Sequence, residues 1–97
     1  MVKHIVTFKL KGEPTERLLK AEAFRDALVK LPGLIDVLES IEVGINANPA
    51  EHWDVVLTAT LPDMESVAVY ANHPAHVAAA SIIADCKADR ACVDYYC

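Results

Sequence analysis

Val2-Lys3-His4-Ile5-Val6-Thr7-Phe8-Lys9-Leu10 opens the chain and decides its fold. Val2, His4, Val6, Phe8 and Leu10 fall on one face of an extended segment, and Lys3, Ile5, Thr7 and Lys9 on the other. That two-residue period predicts a strand with one face committed to a core. Ile5 on the second face sets the next question. A sheet with apolar groups on both sides needs a cover on both sides.

Outward from this strand, Gly12 and Pro14 turn the chain, and Thr15 is placed to cap a helix. Leu18, Ala21, Phe24, Leu28 and Leu31 recur at helical spacing and predict an amphipathic helix of about 16 residues. Pro32-Gly33 stops it. Val37, Glu39, Ile41 and Val43 alternate as a second strand, and Asn46-Ala47-Asn48-Pro49 reads as a loop. A third strand is expected from about Trp53 to Leu61, with Trp53, Val55, Leu57 and Ala59 on one face and Val56 on the other. A helix starting near Asp63 is expected to bury Met64, Val67, Ala68 and Ala71. A last strand spans Arg90 to Tyr96.

The order β-α-β-β-α-β predicts a single α+β domain, residues 1–97, of ferredoxin-like type: a four-stranded antiparallel sheet with helices on one face. The other face then calls for a second copy of the same chain. Two such sheets stacked about a twofold axis form a dimeric α+β barrel, and an isologous dimer is the commonest oligomer. Composition points the same way. The chain is 54% hydrophobic over 97 residues, and a domain of this size buries only about 60–65% of its unfolded surface.

Charge excludes other partners. Nine basic residues are dispersed against 14 acidic ones, a net −5, so neither nucleic acid nor an anionic membrane is an expected partner. No apolar run is long enough to span a bilayer, and no signal segment precedes Val2, so a cytoplasmic location is expected. Cys86, Cys92 and Cys97 have neither zinc-site spacing nor an even count, and read as free thiols.

The segment most suited to chemistry is Tyr70-Ala71-Asn72-His73-Pro74-Ala75-His76. Pro74 disfavours a helical His73 and suits the first position of a new helix. The break should therefore fall at Asn72–Pro74, with an alanine-rich helix continuing to about Ala84. On one unbroken helix Tyr70 and His76 would lie about 120° apart around the axis. A kink frees both rings to face one cavity.

These residues resemble the stress-responsive A/B barrel domain family. The resemblance is carried by Met1 to Lys11, Leu31-Pro32-Gly33-Leu34, Ile41-Glu42-Val43-Gly44 with Asn46, Tyr70-x-x-His73-Pro74-Ala75-His76 and Val93-Asp94-Tyr95, and it runs the length of the chain. It implies the dimeric α+β barrel. It also implies a possible activity, because one plant member is a polyketide cyclase that performs an intramolecular aldol condensation without metal or cofactor. A tyrosine and a histidine of that motif act in the enzyme and match Tyr70 and His76, and its pocket histidine near the N-terminus matches His4. Phe24 stands where that cyclase carries a pocket tyrosine, so the substrate does not carry over.

On this reading His76 is a general base, Tyr70 a donor to a developing enolate oxygen, and His4 a second polar group. Phe8, Phe24 and Trp53 line an apolar wall, with His73 beside them. No cofactor is called for, and the expected ligand is small and apolar or aromatic. Each residue also has a plainer reading: His73 as a helix cap, Tyr70 and His4 as hydrogen-bonded interior rings, His76 as a core or rim histidine. A metal is not expected, because no carboxylate or cysteine falls at a third-ligand position beside His73, His76 and His4. Asp94 is expected to pair with Arg90 or Lys3. Two functions stay open: a cofactor-free proton-transfer enzyme, or a non-catalytic dimer. A cofactor-independent oxygenase is a more distant third. An enzyme requires a cavity of some hundreds of cubic ångströms lined by Tyr70 and His76.

Overall fold

A computed structural model describes residues Met1–Cys97. Four strands, β1 (Val2–Leu10), β2 (Ser40–Ile45), β3 (Val55–Leu61) and β4 (Lys87–Tyr96), form one antiparallel sheet in the order β2-β3-β1-β4. Three helices, α1 (Pro14–Leu28), α2 (Met64–Asn72) and α3 (Pro74–Ser81), supply the crossovers. The architecture is the ferredoxin-like α+β fold that the element order predicts.

β1 is central, and its alternation is complete: every even residue from Val2 to Leu10 is buried and every odd one half-buried. The buried set packs against Ala21, Phe24 and Leu28 of α1, against Tyr70 of α2, and against Ile83 after α3. Each fully buried large side chain of this kind stabilises the fold by about 1.5–3 kcal/mol. Phe8 and Phe24 meet edge to face at 5.2 Å.

The helix break falls as expected. α2 begins at an Asp63 cap, whose carboxylate accepts from Ser66 N at 2.9 Å and Ser66 Oγ at 2.7 Å. Those bonds hold Asp63 below its ordinary value. At the break, His73 is extended (ψ 136°) and its Nδ1 accepts from Ala75 N at 3.0 Å, so it caps α3 with its own ring.

Several boundaries shift. α1 starts at Pro14 with Glu13 ahead of it, so Thr15 lies inside the helix and is not the cap. It ends at Leu28, and Leu31 enters a 3-10 turn with Pro32 and Gly33. Leu18 is half exposed, because the first turns of α1 overhang a surface groove. β2 starts at Ser40, since Ile35, Val37 and Leu38 belong to the preceding turns. β3 starts at Val55, where pairing to Phe8 begins, leaving Trp53 ahead of the ladder. Its second face alternates Val56 with Thr58 and Thr60, less apolar than expected. α2 buries Ser66 and Tyr70, with Val67 half-buried, and exposes Met64, Ala68 and Ala71. α3 ends at Ser81, three residues before the expected Ala84. β4 starts at Lys87, three residues before Arg90.

Candidate functional site

The helix break and the two inner strands bring three rings together. His4 faces the helices from β1, Tyr70 lies in the last turn of α2, and His76 in the first turn of α3. The Tyr70 ring meets His76 at 4.6 Å and His4 at 5.8 Å, both edge to face. Tyr70 is fully buried, and its hydroxyl has no hydrogen-bond partner. His76 Nδ1 is likewise buried and unpartnered. Two such atoms on adjoining rings stand out, because buried polar groups are nearly always satisfied.

Their surroundings shift both groups. Burial pushes the Tyr70 phenol up to about 12. Burial also lowers His76 below its ordinary value, and the nearby His4 and Arg90 add to this. The Ala71 carbonyl opposes it, without forming a hydrogen bond to Nδ1. Both groups are therefore held in their neutral forms at neutral pH.

A cavity of about 100 Å³ opens between β1, β4, α1 and α3, lined by His4, Phe8, Phe24 and His76 among others. Four expected site residues thus share one hollow. Three do not line it. Tyr70 packs behind His76, His73 is turned to its capping bond, and Trp53 lies beyond the end of the β3 ladder. The cavity is also smaller than the hundreds of cubic ångströms expected.

Strand pairing adds residues that the sequence reading missed. His4 lies opposite Asp94 across the β1–β4 ladder, and Val6 opposite Cys92. The His4 Nδ1–Asp94 Oδ1 distance is 2.5 Å, so Asp94 pairs with His4 and not with Arg90 or Lys3. Cys92 Sγ lies 3.5 Å from the same nitrogen. A carboxylate and a cysteine do therefore flank His4, contrary to expectation: the three donor atoms lie within 4.8 Å of one another. Partial burial and Asp94 push the Cys92 thiol up, with Arg90 opposing, so it keeps its proton. Lys87 and Arg90, also from β4, complete the cavity lining.

A second hollow is larger and open, about 700 Å³ between the start of α1 and the loop before β3. Four of its polar side chains are already engaged. Asp54 accepts from Leu10 N at 2.7 Å and lies 3.4 Å from Arg17 Nε, and Asn46 and Asn48 close their own turn. His52, which lines it, is exposed. No helix of the chain is long and apolar enough to cross a membrane.

Comparison with known structures supports this architecture. A dimeric protein of unknown function and ferredoxin-like fold from Bacteroides fragilis NCTC 9343 is 46% identical, with a TM-score of 0.94 over 97% of this chain and 93% of that one. A dimeric ferredoxin-like protein of unknown function from Thermobifida fusca is 31% identical, with a TM-score of 0.79 over 97% and 88%. A hydroxynitrile lyase from Passiflora edulis shares the fold alone, at 14% identity and a TM-score of 0.72 over 97% and 90%. No curated protein matches the sequence. The family model of the Stress responsive A/B Barrel Domain matches residues 2–97, and the chain belongs to that family.

Proposed function

We propose that this chain binds a small molecule in the cavity beside His76 and that His76 acts there as the base of a cofactor-free proton transfer. The observation that carries this is the unpartnered, buried Nδ1 of a ring held neutral at a cavity wall. A neutral imidazole accepts a proton from carbon flanked by carbonyls, a step for which a positioned base supplies about 10²–10⁴-fold. Tyr70 remains a phenol, with an O–H to donate to a developing oxyanion. It fixes the His76 ring from behind, and reaches a ligand oxygen only if the cavity widens on binding. Asp94 orients His4, while Phe8 and Phe24 form the apolar wall.

We place this activity in a homodimer. The sheet face away from the helices carries Ile5, Val56, Val93 and Tyr95, of which Val93 is 62% exposed. The relatives at 46% and 31% identity are dimeric proteins. Light scattering after size exclusion should return twice the 10.6 kDa chain mass. A monomer at micromolar concentration would remove this part of the proposal.

A non-catalytic dimer is the second reading, and the small cavity favours it, since ligand pockets usually run to about 300 Å³ or more. Deuterium exchange separates the two. Exchange at the activated C–H of small 1,3-dicarbonyl compounds in D₂O should be faster with the protein, and slower by about 10²–10⁴-fold with His76→Gln. An unchanged rate in that variant takes His76 out of the mechanism. No acceleration by the parent protein leaves the non-catalytic dimer.

A further inference from the structure

The cavity has an electrostatic character that the chain as a whole does not share. Acidic residues outnumber basic ones 14 to nine, yet no carboxylate lines this hollow. Its polar lining consists of His4, His76, Lys87 and Arg90. Arg17, Lys20 and Arg25 each lie within 4 Å of a carboxylate; Lys87 and Arg90 have no such partner. Arg90 is the one arginine of three left without one.

The backbone places both cations on this side by a specific device. Lys87 and Arg90 are three residues apart, and in a regular strand an odd spacing sends side chains to opposite faces. The β1–β4 register is broken here: Lys9 pairs with Asp89, but Leu10 pairs with Lys87. Ala88 is the extra residue of a β-bulge, and bulges re-aim side chains. With one residue absorbed, Lys87 falls on the face of Leu10 and Arg90 on the face of Phe8, which is the cavity face.

We propose that this cavity takes a short-chain organic carboxylate, its head between Lys87 and Arg90 and its carbon chain against Phe8 and Phe24. This rests on the ligand-binding reading above and supplies the ligand's chemical class. Volume sets the length. An enclosed apolar cavity of about 150 Å³ takes a benzene, so about 100 Å³ admits roughly four heavy atoms. With its head at the mouth, an acid of about two to four carbons fits that space. The two cations supply charge-assisted hydrogen bonds, about twice as strong as neutral ones. A neutral molecule of the same shape forfeits them.

Butyrate and butyramide differ in little but that charge. Both are titrated at neutral pH and fixed ionic strength, and the NMR signals of Ile83, Phe8, Phe24 and His76 are followed. Butyrate should shift them saturably, with butyramide roughly tenfold weaker. Lys87→Met combined with Arg90→Gln, both at exposed positions, should bring butyrate down to the level of butyramide and leave butyramide unchanged. The same spectra report that the variant is folded. Amide and acid binding equally, or butyrate binding untouched by the double variant, overturns the carboxylate assignment while the ligand-binding reading survives. No shift at these signals with either probe overturns both.

Discussion

The two hollows of this molecule differ in what their polar groups are doing. The open groove beside α1 is about seven times larger, yet Asp54, Arg17, Asn46 and Asn48 are all engaged with one another or with backbone. The smaller cavity has one buried, unpartnered polar atom in its lining, on His76, a second on the Tyr70 ring packed behind it, and two cations without carboxylates. Unmet polar capacity, more than volume, is where a fold declares an interest in something else.

Core substitution tests that contrast most strongly. Phe24→Ala in the cavity wall should cost about 3–5 kcal/mol in urea unfolding, since it removes a fully buried ring. Leu18→Ala in the groove wall should stay within about 0.5 kcal/mol, as a half-exposed surface position does. Comparable costs would mean the two walls are equally part of the core, and the distinction would fall.

The two aspartates provide a smaller test. Asp94→Ala should cost about 1.5–3 kcal/mol, because it leaves a buried His4 without its charge-assisted bond. Asp54→Ala should cost only about 1 kcal/mol: it loses one backbone bond and a half-exposed ion pair. The reverse order in chemical denaturation would place the more tightly bound polar pair in the groove.

The smallest effect is one of pH. Burial lowers His76 below its ordinary 6.5, so below that value the unfolded chain takes up a proton more readily than the folded one. Stability should therefore rise with pH between the lowered folded value and 6.5, and level off above it. Melting temperatures of the parent and His76→Gln, compared across this window, isolate the slope. Parallel curves would mean the ring is as free to charge in the fold as out of it.

How much of this was legible beforehand depended on how local the cause was. Alternation over Val2–Leu10 and the proline after His73 act within a few residues, and both elements appeared where expected. The His73 cap was likewise readable from its neighbour alone. Asp94 beside His4 is different, because the partners are 90 residues apart. The even spacing of Arg90, Cys92 and Asp94 was visible, but which β1 residue each would face depends on register. Lys87 escaped for another reason: Lys87-Ala88-Asp89 shows no alternation, and the bulge inverts the parity from which its face would be read. Trp53 was placed by extending an alternation past the end of its ladder.

That bulge bears on how related chains should be lined up. What reaches the cavity from β4 is decided by counting paired rungs, not by counting residues. A chain lacking a counterpart of Ala88 would keep both cations turned inward with a spacing of two. Aligned without a gap, it would seem to have moved one of them to the opposite side of the sheet. Kinship at this pocket is therefore to be judged rung by rung, with Ala88 treated as an insertion.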